Sequence, residues 1–168
     1  MGAIDRVMYF KNIFPGGDNN FFSRFELLIP AFFFAAALLL ISSCSRQPAY
    51  PPAVQEGSNL IIDVATITPE VPKFYTYHYQ GKAVNFFALK IDGKVNSFLD
   101  ACASCYAHRQ GYRYEDGCVT CRDCGARFSI YKLEKGLGSC YPIKIEGRME
   151  NGKYLIPVKT LEALAGKF

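Results

Sequence analysis

Two Cys-x-x-Cys pairs, Cys102/Cys105 and Cys121/Cys124, stand fifteen residues apart in the stretch ACASCYAHRQGYRYEDGCVTCRDCGARFSIYKLEKGLGSCYP, which runs from Ala101 to Pro142 and holds six of the seven cysteines. In each pair the backbone must reverse between the sulfurs, and the intervening chain must bring the second turn to face the first if four thiolates are to share one centre. Neither pair completes a tetrahedral site alone. Gly125 follows the second pair, where a glycine suits a turn at positive φ that aims backbone N–H groups at sulfur. The candidate metal ligands are therefore Cys102, Cys105, Cys121 and Cys124, with Cys140 in a Gly- and Pro-bearing loop as a fifth candidate.

Four thiolates suit zinc, a single iron or an iron–sulfur cluster alike. Spacing alone favours a structural zinc ribbon. Disulfides are the competing use of the same residues, since exported cysteines meet an oxidising compartment. Cys118-x-x-Cys121-x-x-Cys124 has the spacing of three bacterial ferredoxin ligands, but the fourth cysteine of that pattern is followed directly by proline, whereas Tyr141 follows Cys140. A Cys118/Cys140 disulfide is a further alternative. His78 and His108 are conceivable ligands, yet they read more simply as a strand residue and a solvated loop residue. Arg109, Arg113, Arg122, Arg127 and Lys132 either offset thiolate charge or are ordinary surface charge.

The N-terminal third has a different character. Leu27 to Ile41 (LLIPAFFFAAALLLI) is shorter than the roughly 20 residues of a comfortable membrane span and has the length of a secretory apolar region ending in small residues. Ile41-Ser42-Ser43-Cys44 resembles a bacterial lipobox, which makes Cys44 the lipid-attachment residue; an uncleaved single-helix anchor is the alternative. Residues 1–43 are thus read as signal peptide or signal anchor. Residues 44–58, ending SRQPAYPPAVQEGS, are read as an extended tether with no reason to pack, and 59–168 as the metal-binding domain. Either form of attachment holds the remainder to a membrane, on the extracytoplasmic side of a bacterial envelope.

The domain itself reads as mainly β. Asn59–Ile67, Lys73–Gln80, Lys82–Ile91 and Lys94–Leu99 are rich in β-branched and aromatic residues, with turns at Gly81 and Asp92-Gly93. Ala126–Leu133 continues the pattern, and Ile143–Glu146 and Tyr154–Val158 are expected to pair around Asn151-Gly152. Thr160–Phe168 is expected as a short terminal helix. A small antiparallel sheet, Rieske-like or ribbon-like, is the expected architecture. The net charge of +4 is diffuse: Arg6, Lys11 and Arg24 balance Asp5, Asp18 and Glu26 in residues 1–43, and the small surplus beyond them forms no nucleic-acid surface. No phosphate-binding glycine loop, Gly-x-Ser-x-Gly elbow or His-Glu-x-x-His stretch occurs, and the βαβ context of a thioredoxin-like thiol pair is missing. An electron carrier is expected rather than an enzyme.

The runs DACASCY, CRDCGARF and GSCYP, with the closing IPVKTLEALAGKF, resemble the FtrD-like membrane iron–sulfur family over roughly the last hundred residues. The resemblance implies an extracytoplasmic domain carrying a 2Fe–2S or 4Fe–4S cluster, with zinc as the alternative. It further implies a redox partner in the membrane or periplasm and, in some relatives, a place in ferrous-iron uptake. Cys118 lies outside that pattern, and many relatives carry several membrane helices where here one lipid or one helix serves. Cys121-x-x-Cys124-Gly-x-x-Phe128 is also similar in layout to the second cluster-binding loop of Rieske domains, with cysteine in place of histidine; all-thiolate ligation would lower the potential relative to true Rieske centres.

Overall fold

A computed structural model describes residues 47–168. The expected signal or anchor segment of 1–43 and the lipid-attachment residue Cys44 lie outside the described residues. Eleven strands are present among the described residues: β1 (Val54–Glu56), β2 (Asn59–Asp63), β3 (Lys73–Tyr79), β4 (Lys82–Ile91), β5 (Lys94–Cys102), β6 (Tyr112–Glu115), β7 (Cys118–Cys121), β8 (Arg127–Ser129), β9 (Pro142–Ile145), β10 (Arg148–Glu150) and β11 (Lys153–Pro157). They form three antiparallel sheets, ordered β1-β2-β11-β10, β3-β4-β5-β9 and β6-β7-β8. The protein is therefore mainly β, closed by a short helix α1 (Val158–Leu164) and a 3-10 turn, Ala165–Lys167.

Four hairpins share one turn chemistry. Gln80-Gly81, Asp92-Gly93, Asp116-Gly117 and Asn151-Gly152 each place both residues at positive φ, the backbone that matches the right-handed twist of the flanking strands and that glycine accepts at the second position. The expected strand pairs hold at the first two. The third, joining β6 to β7, lies between the two cysteine pairs, where the sequence reading assigned no strands. At the fourth, Lys153 pairs with Glu150: the partner of β11 across this turn is β10. The 142–145 strand instead pairs with β5, Ser97 facing Ile145, a long-range partnership no turn signal announces.

Sheet β3-β4-β5-β9 is the middle layer. In β4 every residue from Val84 to Leu89 is buried, which requires apolar cover on both faces because successive side chains alternate. Phe86 and Ala88 face one core, with Leu60, Ile62 and Ile156 of the first sheet and Leu161 and Phe168 of the C-terminal segment. Phe87 and Leu89 face a second core, with Tyr112, Val119 and Phe128 of the third sheet. Phe98 and Cys102 of β5 join this second core while Leu99 and Ala101 join the first. The alternation of β5 therefore decides which side of the sheet receives the Cys102 sulfur.

The segment read as a non-packing tether is stitched down wherever it is described. Tyr50 stacks on Phe74 at 4.8 Å, Thr76 and the Pro51–Ala53 backbone exchange hydrogen bonds of 3.0 and 2.9 Å, and Val54–Glu56 is a strand of the first sheet. Its prolines leave the chain extended, and an extended chain can lie along a sheet edge. The C-terminal helix begins at Val158 rather than Thr160.

Ser97 Oγ donates to Ile145 O at 2.8 Å and lies 3.2 Å from the Tyr154 hydroxyl, all within the core. A Cβ on Gly147 would sit 2.6 Å from that hydroxyl and 2.7 Å from the ring edge. Gly147→Ala is therefore expected to displace Tyr154 and destabilise the fold by roughly 1–3 kcal/mol, the range of an overpacked core. Thermal unfolding measures this.

Candidate metal centre

Each Cys-x-x-Cys turn starts at the last residue of a strand. Cys102 ends β5 and Cys121 ends β7, and both are buried, at 2 % and 1 % exposure. Beyond each, the chain turns back through a bend stabilised by Cys105 N–H donating to Cys102 O (3.2 Å) and Gly125 N–H to Cys121 O (3.0 Å). Gly125 has φ +73°, the positive value its position demands. The backbone N–H groups of Ser104 and Cys105 are directed at the Cys102 sulfur, those of Asp123 and Cys124 at Cys121, and that of Ala126 at Cys124. Such donors favour thiolate over thiol.

Five sulfurs converge. Those of Cys102, Cys105 and Cys121 lie within 4.8 Å of one another, and so do those of Cys105, Cys124 and Cys140. Cys105 belongs to both groups, and Cys124 Sγ is 4.0 Å from Cys140 Sγ. The inner group is largely withdrawn from solvent, whereas Cys124 is exposed. The loop of Gly136–Tyr141 covers one side, held by Ala103 N–H donating to Tyr141 O (3.0 Å) and Ser104 Oγ to Ser139 O (2.7 Å). Cys118 stands apart, opposite Glu115 and Ser129 in the third sheet. All six described cysteines are free thiols, so the Cys118/Cys140 disulfide is not formed. His78 is an exposed residue of β3, outside the centre.

The thiols compete for charge. Burial pushes Cys121 up to about 11 and raises Cys105 further, with help from neighbouring sulfurs. Cys102 is also penalised by burial, but the N–H groups of Ser104 and Cys105 and the Tyr112 hydroxyl outweigh it and bring the net shift downward. The Ala126 N–H is the main cause of the lowering at Cys124. Thiolate charge is thus favoured at Cys102 and Cys124 and opposed at Cys105 and Cys121, a conflict that a bound cation would relieve.

Three residues that the motif did not single out position the turns. Asp100, fully buried on β5, accepts from Tyr112 N–H at 2.6 Å, and Tyr112 lies opposite Cys121 in the β6–β7 register. This bond sets the separation of the two strand ends that carry Cys102 and Cys121. Burial pushes the Asp100 carboxyl up to about 7, against the Tyr112 N–H, Tyr50 and Arg122, which favour its charged form. Gly111 fits because a Cβ there would meet Asp100 Oδ2 at 2.5 Å, and its φ is +67°. His108, expected as a free loop residue, contacts Asp123 at 2.9 Å (Nδ1 to Oδ1) and so bridges the two cysteine turns. Asp100 carried no motif; its only sequence signal is an acidic residue at an apolar strand end two places before a ligand candidate.

The donor set fits an iron–sulfur cluster on the structure's own terms. The sulfurs are thiolate-type donors in two overlapping groups, and the buried Tyr112 hydroxyl has no nitrogen or oxygen partner. Its neighbour is the Cys102 sulfur, so the hydroxyl is a donor facing sulfur. Arg122 Nε donates to Tyr112 O at 2.9 Å and places a cation beside the site.

Among curated proteins, none matches the chain. Among the described residues no helix is long and apolar enough to cross a membrane. Residues 67–168 match the family described as membrane iron-sulfur containing protein FtrD-like. That match spans more than half of the chain and takes in both cysteine turns, the covering loop and the C-terminal helix: the chain belongs to the FtrD-like family of membrane iron–sulfur containing proteins.

Proposed function

We propose that this protein is a membrane-attached electron carrier of the bacterial envelope, its iron–sulfur cluster held by Cys102, Cys105, Cys121 and Cys124, with Cys140 as a fifth thiol beside Cys124. The observation that carries this reading is the linkage of two three-sulfur groups through Cys105. A single zinc ion with bonds of about 2.3 Å would draw four sulfurs to about 3.8 Å from one another. Here five sulfurs spread over two groups, and among the described residues no four lie mutually within 4.8 Å. A set of that extent supports a centre larger than one ion. Two turns at strand ends with a covering third loop also support the Rieske-like layout expected from the sequence.

When bound, such a cluster accepts and releases single electrons. The chain's part is to hold and tune it. Buried Cys102 and Cys121 fix its inner side, and the exposed Cys124 defines the edge through which a partner gains access. Arg122 and the directed N–H groups offset the negative charge that thiolates and reduction bring. Attachment is assigned to Cys44 through a lipid, or to the 27–41 apolar stretch as a single helix, on the extracytoplasmic side. The proposal extends to a place in ferrous-iron uptake, with a membrane or periplasmic redox protein as the partner.

Protein purified anaerobically is expected to contain iron and acid-labile sulfide and to show visible absorption that dithionite bleaches. A colourless protein with one zinc and no response to reductant would replace this reading with a structural zinc module. Cys102→Ser and Cys121→Ser are expected to lose at least ten-fold in iron content, Cys118→Ser to lose none, and Cys140→Ser to keep iron with an altered electron paramagnetic resonance spectrum. For the positioning residues, Gly111→Ala is expected to cost a few kcal/mol, about 1–3 from the forced contact plus 1–2 from positive φ. It should lower the retained iron in proportion, which metal analysis against unfolding midpoint tests.

A further inference from the structure

We propose that the mouth of the metal centre faces the lipid surface, with Tyr106 and Tyr141 seated among anionic phospholipid headgroups. This rests on the membrane attachment proposed above and adds an orientation to it. Gln47 lies at the cysteine end of the domain: it lines the same pocket as Cys102, Cys105, Tyr106, Arg109 and Lys167. Its Nε2 donates to Asp100 O, and its Oε1 accepts from Asn85 Nδ2 at 3.1 Å. From Tyr50 onward the chain is fixed to Phe74 and Thr76, so no slack follows.

Covalent length then limits the distance to the attachment point. Cys44 precedes Gln47 by three residues, at most about 11 Å of extended chain, and Ile41 precedes it by six, at most about 22 Å. Either attachment is therefore joined by a short length of chain to Gln47, at the cysteine end of the domain.

The chemistry of that end matches a lipid interface. Tyr106, Leu137 and Tyr141 are 37 %, 55 % and 45 % exposed, and the 136–141 loop is bonded to the first cysteine turn. Lys167 Nζ lies 4.1 Å from the centre of the Tyr106 ring, and Arg109 lines the same mouth. Of the two acids lining that mouth, Asp100 is buried and Asp123 contacts His108 at 2.9 Å. Tyrosines with apolar bodies and polar tips, beside long cationic side chains, are the residues that settle at headgroup level and attract anionic lipids. The exposed Cys124 edge then opens toward a redox partner embedded in the bilayer rather than a freely diffusing carrier.

The sequence has no tryptophan, so Tyr106→Trp, Tyr141→Trp and Lys94→Trp each introduce one reporter. Lys94 begins β5, nine residues ending at Cys102, and at about 3.3 Å per residue lies roughly 26 Å from the centre. Full-length protein is placed in phosphatidylglycerol vesicles whose acyl chains are brominated near the headgroup, and fluorescence is compared with unbrominated vesicles. Bromination is expected to quench the Tyr106→Trp and Tyr141→Trp proteins at least two-fold and to leave Lys94→Trp unchanged. Vesicle flotation scores attachment and the visible spectrum scores the cluster in the same samples. Protein that floats but shows equal quenching at all three positions, or stronger quenching at 94, overturns the orientation alone. Protein that does not float overturns it together with the attachment. Because the two tyrosines lie on separate loops, quenching in either folded variant with none at 94 sustains the proposal.

Discussion

A buried carboxylate sets the geometry on which the centre depends. Asp100 cannot reach water, and charge is expensive in such a place; the Tyr112 N–H meets its Oδ1, Oδ2 has no hydrogen-bond partner among the described residues, and burial pushes the carboxyl up to about 7. Because Asp100 precedes Cys102 by two residues and Tyr112 faces Cys121 across the β6–β7 pairing, one hydrogen bond joins two segments that share no sheet. The sulfurs at the strand ends inherit their separation from it. Gly111 is the accommodation that lets the two backbones approach this closely.

Much of this arrangement can be read from the chain without coordinates, because it is local. A Cys-x-x-Cys turn is closed by its own backbone, and Asp92-Gly93 or Asn151-Gly152 has few conformations to choose from. What the chain hides is long-range. Nothing near Pro142–Ile145 says that its partner is Ser97; the nearest turn signal points to a different neighbour. Asp116-Gly117 carries the same signal as the other hairpins, but cysteines on either side are equally at home in metal-binding loops, which masks the strands. Composition misled at the N-terminal side for a physical reason. Proline and polar residues exclude a helix but do not prevent packing, and one aromatic, Tyr50 against Phe74, is enough to fix an extended segment.

The pairing of His108 with Asp123 belongs to the same class. Each residue sits in its own cysteine turn, and their contact exists only when the turns face one another. It is a surface pair, with His108 65 % exposed, so its contribution to stability is small. Its value is in registering the turns: it holds the segment after Cys105 to the residue before Cys124, two of the three cysteines of the outer group.

The two cores divide the labour unequally. The first is built from apolar side chains of two four-stranded sheets and the C-terminal helix, and it includes no cysteine. The second counts Cys102 and Cys121 among its buried members, and its outer sheet has strands of only three or four residues. Strands so short have little stability of their own. Their packing on Phe87 and Phe98 is completed by sulfurs whose mutual repulsion as thiolates opposes the same packing. A metal centre held by Cys102 and Cys121 would remove that opposition and tie β5 to β7 through their ends, so that ligation and the folding of the third sheet would draw on the same free energy. The first core asks for no such help, and through Leu99 and Ala101 it anchors the strand whose end carries Cys102.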